Sequence, residues 1–151
     1  MPLFNIFKNC GYYWGFAAFV AFPLVSPDYQ APAKAQVAAG AALWVASQLV
    51  NLAVHVQLAG MRAGGDGDNA RRPPGGILFS LVTCPNYTAE VLGWVGWSML
   101  SSIFVGYVFT LAGLLQMAQW ALKKRSAYFK DEAGGGREYA KQRNAIIPFV
   151  L

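Results

Sequence analysis

The chain has 151 residues, of which 56% are hydrophobic, 15% aromatic and 13% charged, and its net charge is +5. Soluble domains carry about 25% charged residues, so this chain has too little charge to cover a hydrophobic core with a polar surface. The composition therefore excludes a soluble globular domain, a disordered segment and a basic nucleic-acid-binding tail, and it indicates one membrane domain.

Four stretches of the chain are apolar enough to predict membrane-spanning helices. Such a helix needs about 20 mostly apolar residues to cross the roughly 30 Å of bilayer hydrocarbon. The stretches that approach this length lie at residues 10–25, 35–59, 88–103 and 104–122. The sequence thus predicts an all-α, polytopic membrane bundle of about four transmembrane helices, followed by a basic C-terminal tail.

Breakers and polar residues indicate where these spans begin and end. The first span is short, so it is tilted or begins near Phe4, and it closes at Pro23 and Pro27. The third and fourth spans form one apolar run in which only Glu90 is charged. That run is too long for one span, and we expect it to turn near Ser101-Ser102. No signal-peptide cleavage pattern follows the first span, so we expect it to stay in the protein.

The distribution of basic residues supports the four-span topology. Eleven of the 12 Lys and Arg residues fall on the side that holds the N-terminus, loop 60–86 and the C-terminal tail, and only Lys34 falls on the other. Because basic residues concentrate on the cytosolic side of membrane proteins, that side is predicted to be cytosolic. The glycosylation pattern at Asn86 would then lie in the cytosol, and we expect it to be unmodified.

Three further features of the chain carry weaker predictions. Cys10 and Cys84 fit no metal-binding spacing and are expected to be inert reduced thiols. Loop 60–86 is rich in glycine and proline and should have little regular structure. The glycines at 134–136 predict a flexible break, and the apolar residues 145–151 are expected to dock on the bundle or at the membrane interface.

The second span carries a stripe of polar side chains. At about 100° per residue, Gln48, His55 and Arg62 lie within about 60° of Asn51, and Ser47 extends the same face. Polar groups inside a membrane are costly and usually face the bundle interior or a wet cavity. Hydrogen bonds between helices explain Gln48 adequately, whereas Asn51, His55 and Arg62 together favour a binding site.

A second polar cluster, CPNYTAE, opens the third span at residues 84–90. Pro85 fits a helix that starts directly after Cys84. Asn86 and Glu90 are four residues apart and share one helix face. Glu90 needs a basic partner, a hydrogen-bond donor or protonation, although a favourable interaction with the helix N-terminus also explains it.

A third cluster, KKRSAYFK, follows the fourth span at residues 123–130. Most of its lysines are explained by contact with lipid headgroups. Tyr128 stands among these bases, and Arg62, Arg71-Arg72 and Arg143 are predicted on the same side. Several arginines at one mouth indicate a pocket for a phosphorylated ligand, because the guanidinium group binds phosphate through two hydrogen bonds.

These clusters, in this order, resemble the C-terminal region of the steroid 5α-reductase superfamily, and in particular its very-long-chain trans-2-enoyl-CoA reductase branch. The CPNYT segment and the IIPFxL ending are specific to that branch. The resemblance covers essentially the whole chain. It is carried by PLFNIFKNCGYYWGFAA (2–18), QLVNLAVH (48–55) with Arg62, LVTCPNYTAEVLGW (81–94) and KKRSAYFK (123–130) with RNAIIPFVL (143–151).

The resemblance implies an endoplasmic-reticulum membrane enzyme that holds NADPH inside its helical bundle and reduces the C2–C3 double bond of a long-chain enoyl-CoA in fatty acid elongation. It implies an essential tyrosine at Tyr87, whose phenol could donate a proton if neighbouring bases lower its pKa. It implies no metal and no nucleic acid, with membrane lipid and long-chain enoyl-CoA as partners. By motif position, the cofactor-binding residues would be Asn51, His55, Arg62, Asn86, Glu90, Tyr128 and Arg143.

The resemblance also implies that the sequence corresponds to the C-terminal half of the family's proteins. Members carry an N-terminal region and further spans, so we expect these 151 residues to need that missing half or a partner subunit for catalysis. The alternative is a non-catalytic, reductase-derived subunit with a structural role in a larger complex, which could sit in another organelle membrane. A methyltransferase of the isoprenylcysteine type fits less well, because of the CPNYT match.

Overall fold

The computed structural model of the chain describes residues 3–63, 73–131 and 134–148, without the side chains of residues 5, 8, 62 and 63. Within these ranges the regular structure is helical, apart from one isolated parallel bridge between Val82 and Asn144. The predicted all-α class is therefore confirmed. The helices are α1 (Leu3–Leu24), α2 (Lys34–Ala63), a 3₁₀ turn (Ile77–Phe79), α3 (Pro85–Ser101), α4 (Phe104–Lys130) and α5 (Gly136–Lys141).

Helix α1 begins at Leu3, which confirms the earlier start that the sequence suggested near Phe4. Pro23 lies in its last turn, and the helix ends one residue later. The rings of Tyr12 and Phe16 pack against Phe109 of α4 at centroid distances of 5.5 and 4.8 Å. Most of the other large side chains of α1 are exposed, as expected for a helix that borders lipid or another protein.

The closest helix crossing joins α2 and α3 at two glycines. A Cβ atom added at Gly96 would lie 2.8 Å from the carbonyl oxygen of Gly40 and 2.8 Å from the backbone nitrogen of Trp44. The two backbones therefore touch without intervening side chains, an arrangement that small residues permit in membrane helices. In the described part of the chain, α2 and α3 form the most extensive helix pair.

The turn between α3 and α4 lies where the sequence predicts it. Ser102 adopts a left-handed conformation with φ 52°, and its N–H donates to the carbonyl of Ser98 at 2.8 Å. The hydroxyl groups of Ser98 and Thr110 are hydrogen-bonded at 3.0 Å and join the two helices. The long apolar run is thus folded into a helical hairpin.

Among the described residues, two helical segments, Lys34–Met61 of α2 and Phe104–Lys130 (α4), are long and apolar enough to cross a membrane by length and composition. Helix α3 has only 17 residues, about 25 Å at 1.5 Å per residue, which is less than the roughly 30 Å of bilayer hydrocarbon. A membrane bundle fits these helices, and the four-span arrangement stays a prediction.

The basic run after Leu122 is helical, so α4 ends eight residues later than the fourth predicted span. Lysine, arginine and alanine favour helix, and long basic side chains can extend toward lipid headgroups from the end of a membrane helix. The glycines predicted as a flexible break form an ordered turn instead. Gly135 has φ 77°, a conformation that glycine adopts without strain, and α5 follows it directly.

The segment after α5 returns to the bundle. Ala145 and Ile146 are each 1% exposed and pack against Cys84 and Met117. This confirms the predicted docking of the C-terminal apolar segment at Ala145 and Ile146, whereas Ile147 is exposed and the described residues end at Pro148.

Candidate functional site

A cavity of about 870 Å³ lies among the four long helices, and we call it the central cavity. Its walls are mainly aromatic and aliphatic. Three polar side chains, Gln48, Asn51 and Glu90, break this apolar lining. A large apolar chamber with a few polar groups is the usual character of a small-molecule site. The aromatic residues of the lining are Tyr13, Trp14, Phe16, Trp44, Trp94, Trp97 and Phe109.

The polar stripe of α2 divides between the cavity and the outer surface. Gln48 and Asn51 line the cavity, and Ser47, one residue earlier, is buried at the α3 crossing close to Gly93. His55 lies one turn beyond the cavity and is exposed. Arg62 belongs to the last turn of α2, but its side chain lies outside the described residues. The helix periodicity thus indicated the cavity-facing side of α2, and the cavity follows this side as far as Asn51.

One atom of the half-buried Asn51 side chain lacks a hydrogen-bond partner. Its Oδ1 atom is buried and has no hydrogen-bond donor among the described residues. Buried polar atoms nearly always have a partner, and leaving one unpaired costs about 1–3 kcal/mol. A bound group that offers a donor beside Asn51 would remove this cost.

Helix α3 brings Glu90 to the same cavity. Asn86, one turn earlier, is half-buried in the first turn of α3 and is not among the cavity-lining residues. Helix α3 begins at Pro85, as this proline predicted, so Asn86 and Glu90 share one helix face. Glu90 thus stands at the rim, exposed, between the cavity and the N-terminus of its own helix.

Tyr87 lies on another side of α3, away from the cavity lining. Its ring centroid is 6.2 Å from that of Trp120. Together with Val91 and Leu114, Tyr87 packs against a buried cluster that contains Cys84, Met117, Ala118, Ala121, Ala145 and Ile146. Tyr87 precedes the third predicted span, and burial raises the pKa of its phenol, with Cys84 and Glu90 raising it further. The pKa of Tyr87 is thus shifted in the direction opposite to the one that would make its phenol a better proton donor.

Tyr128 and Arg143 meet in a separate cluster at the end of α4. The Tyr128 ring lies 5.1 Å from the ring of Tyr139, and the Arg143 guanidinium lies 4.3 Å above the same ring. Arg143 also donates from Nε to the carbonyl of Phe79 at 2.6 Å and from Nη1 to the carbonyl of Tyr139 at 3.1 Å. Much of its hydrogen-bonding capacity is thus used by backbone oxygens.

The predicted site residues therefore fall into distinct groups. Asn51 and Glu90 share the central cavity, Tyr128 and Arg143 share the C-terminal cluster, and His55 belongs to neither. Sequence reasoning missed Trp44 as a cavity residue. A signal for it existed, because Trp44 precedes Asn51 by seven residues and so lies within about 20° of it on the helix.

Cys84 is a buried thiol at the junction of these groups, 1% exposed. Burial raises its pKa, although nearby Lys124 and the Thr83 hydroxyl act in the opposite direction. A raised pKa in the folded state means that folding favours the neutral thiol. The resulting stabilisation is complete below the ordinary thiol pKa of about 8.5 and declines as the pH rises above it.

The unfolding temperature of the chain in detergent should accordingly fall between about pH 8 and about pH 9.5, the range in which unfolded thiols ionise. Replacing Cys84 with alanine should flatten this decline. The matched variant Cys10→Ser changes the other cysteine, which is only partly buried, and should leave the decline in place. Equal pH profiles for the unchanged chain and Cys84→Ala would contradict the interpretation.

A family model described as 3-oxo-5-alpha-steroid 4-dehydrogenase matches residues 1–151, the full length of the chain. The chain belongs to the steroid 5α-reductase superfamily. It is 49% identical over 152 residues to a Trypanosoma brucei brucei protein with enoyl-CoA reductase in its name, covering 100% of this chain and 49% of that protein. It is 40% identical over 151 residues to the very-long-chain enoyl-CoA reductase of Dictyostelium discoideum, covering 100% and 49%.

A more distant relative is the human trans-2,3-enoyl-CoA reductase-like protein, 31% identical over 157 residues, with 99% of this chain and 42% of the relative covered. The chain spans about half the length of the relatives it matches, and the matched part is their C-terminal half. The predicted family and the predicted correspondence are thus confirmed. The names of these relatives point to oxidoreductases and give no support to the alternative of a non-catalytic subunit.

Proposed function

We propose that this superfamily member is the cofactor-binding half of a membrane enoyl-CoA reductase that uses NADPH to reduce the C2–C3 double bond of long-chain trans-2-enoyl-CoA during fatty acid elongation. The central cavity carries this proposal. It brings Gln48, Asn51 and Glu90 from two helices together beside aromatic side chains. The names of the relatives supply the reaction class.

The residues of the cavity fit a nicotinamide cofactor. The volume of the cavity, about 870 Å³, falls within the roughly 300–1,000 Å³ that small-molecule sites occupy. The unpaired Oδ1 of Asn51 suits the N–H of a carboxamide or the hydroxyl of a ribose. The tryptophans Trp44, Trp94 and Trp97 offer flat apolar faces for an aromatic ring.

A nicotinamide cofactor, when bound, supplies the hydride for the reduction. Asn51 and Gln48 would bind and orient the polar edge of the ligand, and the aromatic lining would pack against its rings. His55, Arg62, Asn86, Tyr128 and Arg143 lie outside the cavity lining or outside the described side chains, and their cofactor roles rest on the resemblance. Tyr87 packs against Trp120 outside the cavity lining, so its proposed role as proton donor also rests on the resemblance.

The proposed setting is the endoplasmic-reticulum membrane, with lipid around α2 and α4. The rest of the enoyl-CoA site would come from the N-terminal half that the relatives carry, or from a partner subunit that replaces it. Its support is the match to only half of each relative and the two membrane-length helices.

Titration of the detergent-solubilised chain with NADPH, followed by nicotinamide fluorescence, tests the cofactor part of the proposal. We expect saturable binding that Asn51→Leu weakens about tenfold or more, because the substitution keeps the side-chain size but removes the amide. Glu90→Gln tests whether the carboxylate on the α3 side of the cavity contributes to NADPH binding. A parallel titration with NADH measures the preference for the phosphorylated cofactor.

The matched control is Gln116→Leu, which removes an exposed amide from α4 outside the cavity lining and should leave the affinity unchanged. Asn86→Ala and Arg62→Ala test the residues assigned by resemblance alone. If Asn51→Leu binds NADPH as tightly as the unchanged chain, the cavity is not the cofactor site and the proposal fails in this form.

A further inference from the structure

The segment after α5 pairs with the chain that leads into α3. We call residues 143–146 the C-terminal latch. The N–H of Asn144 donates to the carbonyl of Leu81 at 3.2 Å, the N–H of Thr83 to the carbonyl of Asn144 at 2.8 Å, and the N–H of Cys84 to the carbonyl of Ala145 at 3.2 Å. The latch therefore satisfies backbone groups that precede α3 and have no helical partner of their own.

Side-chain hydrogen bonds extend this pairing into α3. Thr83 donates from its hydroxyl to the carbonyl of Ala145 at 3.1 Å, and Thr88 donates to the carbonyl of Ile146 at 2.6 Å. Thr83 and Thr88 bracket the first turn of α3. Because both threonines are hydrogen-bonded to the latch, the position of this turn depends on where the latch lies. The turn holds Asn86 and Tyr87, so their positions depend on the latch as well.

The latch is in turn attached to α4 by Arg125. The Nε–H of this half-buried arginine is shared between the carbonyl of Arg143 at 2.8 Å and the carbonyl of Ala140 at 3.2 Å. The guanidinium carbon lies 4.9 Å from the ring centroid of Phe129, one helical turn further along α4. Hydrogen bonds from a charged donor are stronger than neutral ones, and the ring contact fixes the orientation of the guanidinium.

We propose that Arg125 is a positioning residue, which holds the C-terminal latch on the N-terminal end of α3 and thereby sets the position of Asn86, Tyr87 and Glu90. The inference rests on the proposed function for the roles of those three residues, whereas the mechanical link from Arg125 to Thr83 and Cys84 does not depend on it. Arg125 itself contacts carbonyls of the chain and is not assigned to the cofactor.

Hydrogen exchange of the full chain in detergent micelles tests the link directly. The amides of Thr83 and Cys84 are protected by the latch, so a peptide covering residues 81–88 reports on it. In Arg125→Met we expect these amides to exchange about tenfold faster, while amides of α2 at residues 41–50 keep their rate. Arg125→Lys keeps the charge and can still donate a hydrogen bond to one of the carbonyls, so it should restore part of the protection. Lys123→Met is the matched control, because it removes an exposed charge two residues away on α4.

The same variants, titrated with NADPH, separate the two ideas. Weaker binding in Arg125→Met, with partial rescue by Arg125→Lys and no change in Lys123→Met, supports the positioning role. If Arg125→Met exchanges faster but neither the unchanged chain nor any variant binds NADPH, the link from Arg125 to the latch is supported and the proposed function is overturned. Unchanged exchange at residues 81–88 in Arg125→Met overturns the positioning role, as does an equal acceleration in the α2 peptide. If Arg125→Met does not fold, the same comparison is made with Arg125→Gln, which also removes the charge, and unchanged exchange there overturns the role.

Discussion

Replacing Gly96 with alanine is expected to lower the free energy of unfolding by about 1–3 kcal/mol, because overpacking a tight contact forces backbone shifts. The added methyl group would lie 2.8 Å from the carbonyl oxygen of Gly40 and 2.8 Å from the backbone nitrogen of Trp44. Neither atom can rotate away, so α2 and α3 must separate. Unfolding of the detergent-solubilised chain by increasing fractions of denaturing detergent, followed by tryptophan fluorescence, measures the change.

Gly113→Ala is the matched control for this experiment. A Cβ atom at Gly113 of α4 would meet only the Cε of Met117 at 3.6 Å, which is an ordinary contact. Alanine favours helix over glycine by about 0.8–1.0 kcal/mol, so this variant should be as stable as the unchanged chain or more so. Equal stabilities of the two variants would show that the backbones at the α2–α3 crossing are not in close contact.

Replacing Ile146 with alanine is expected to lower the free energy of unfolding by about 2–5 kcal/mol, the range for truncating a buried isoleucine. The side chain is 1% exposed and belongs to a buried cluster with Cys84, Met117 and two alanines of α4. The truncation would leave a cavity below the start of α3. The same detergent unfolding experiment measures the loss.

The next residue provides the comparison for Ile146. Ile147 has the same side chain, but it is 37% exposed. Ile147→Ala should therefore change the stability by no more than about 0.5 kcal/mol. A loss of stability in Ile147→Ala that equals the loss in Ile146→Ala would contradict the docking of the C-terminal segment, since it would mean that the two side chains are equally buried.

Part of the candidate site could be predicted from the sequence. Helix periodicity placed Gln48 and Asn51 on one face of α2, and the spacing of Asn86 and Glu90 placed them on one face of α3. The periodicity of a helix is local, so it says which side chains share a face. It does not say how long the facing cavity is, so the same periodicity groups His55 with Asn51 although His55 lies outside the cavity lining.

The roles of the arginines depend on contacts between distant parts of the chain. Arg143 was assigned to the cofactor by motif position, and in the structure it donates to the carbonyl of Phe79, 64 residues away. Arg125 stood in a basic run explained by lipid headgroups, and it binds carbonyls 15 and 18 residues further along the chain. Backbone oxygens carry no sequence signal, so neither interaction could be predicted.

The sequence by itself determined the helical class, the membrane character, the turn at Ser101-Ser102 and the family, because each depends on local composition, on the length of an apolar run or on a short motif. Only the tertiary structure decided which polar residues share the central cavity and that Tyr87 packs outside the lining of this cavity. It also decided that the C-terminal latch pairs with the residues before α3. Each of these features depends on contacts between segments that are far apart in the chain, and the α2–α3 crossing at Gly40 and Gly96 is one such contact. A crossing depends on two surfaces at once, and no single stretch of sequence describes both.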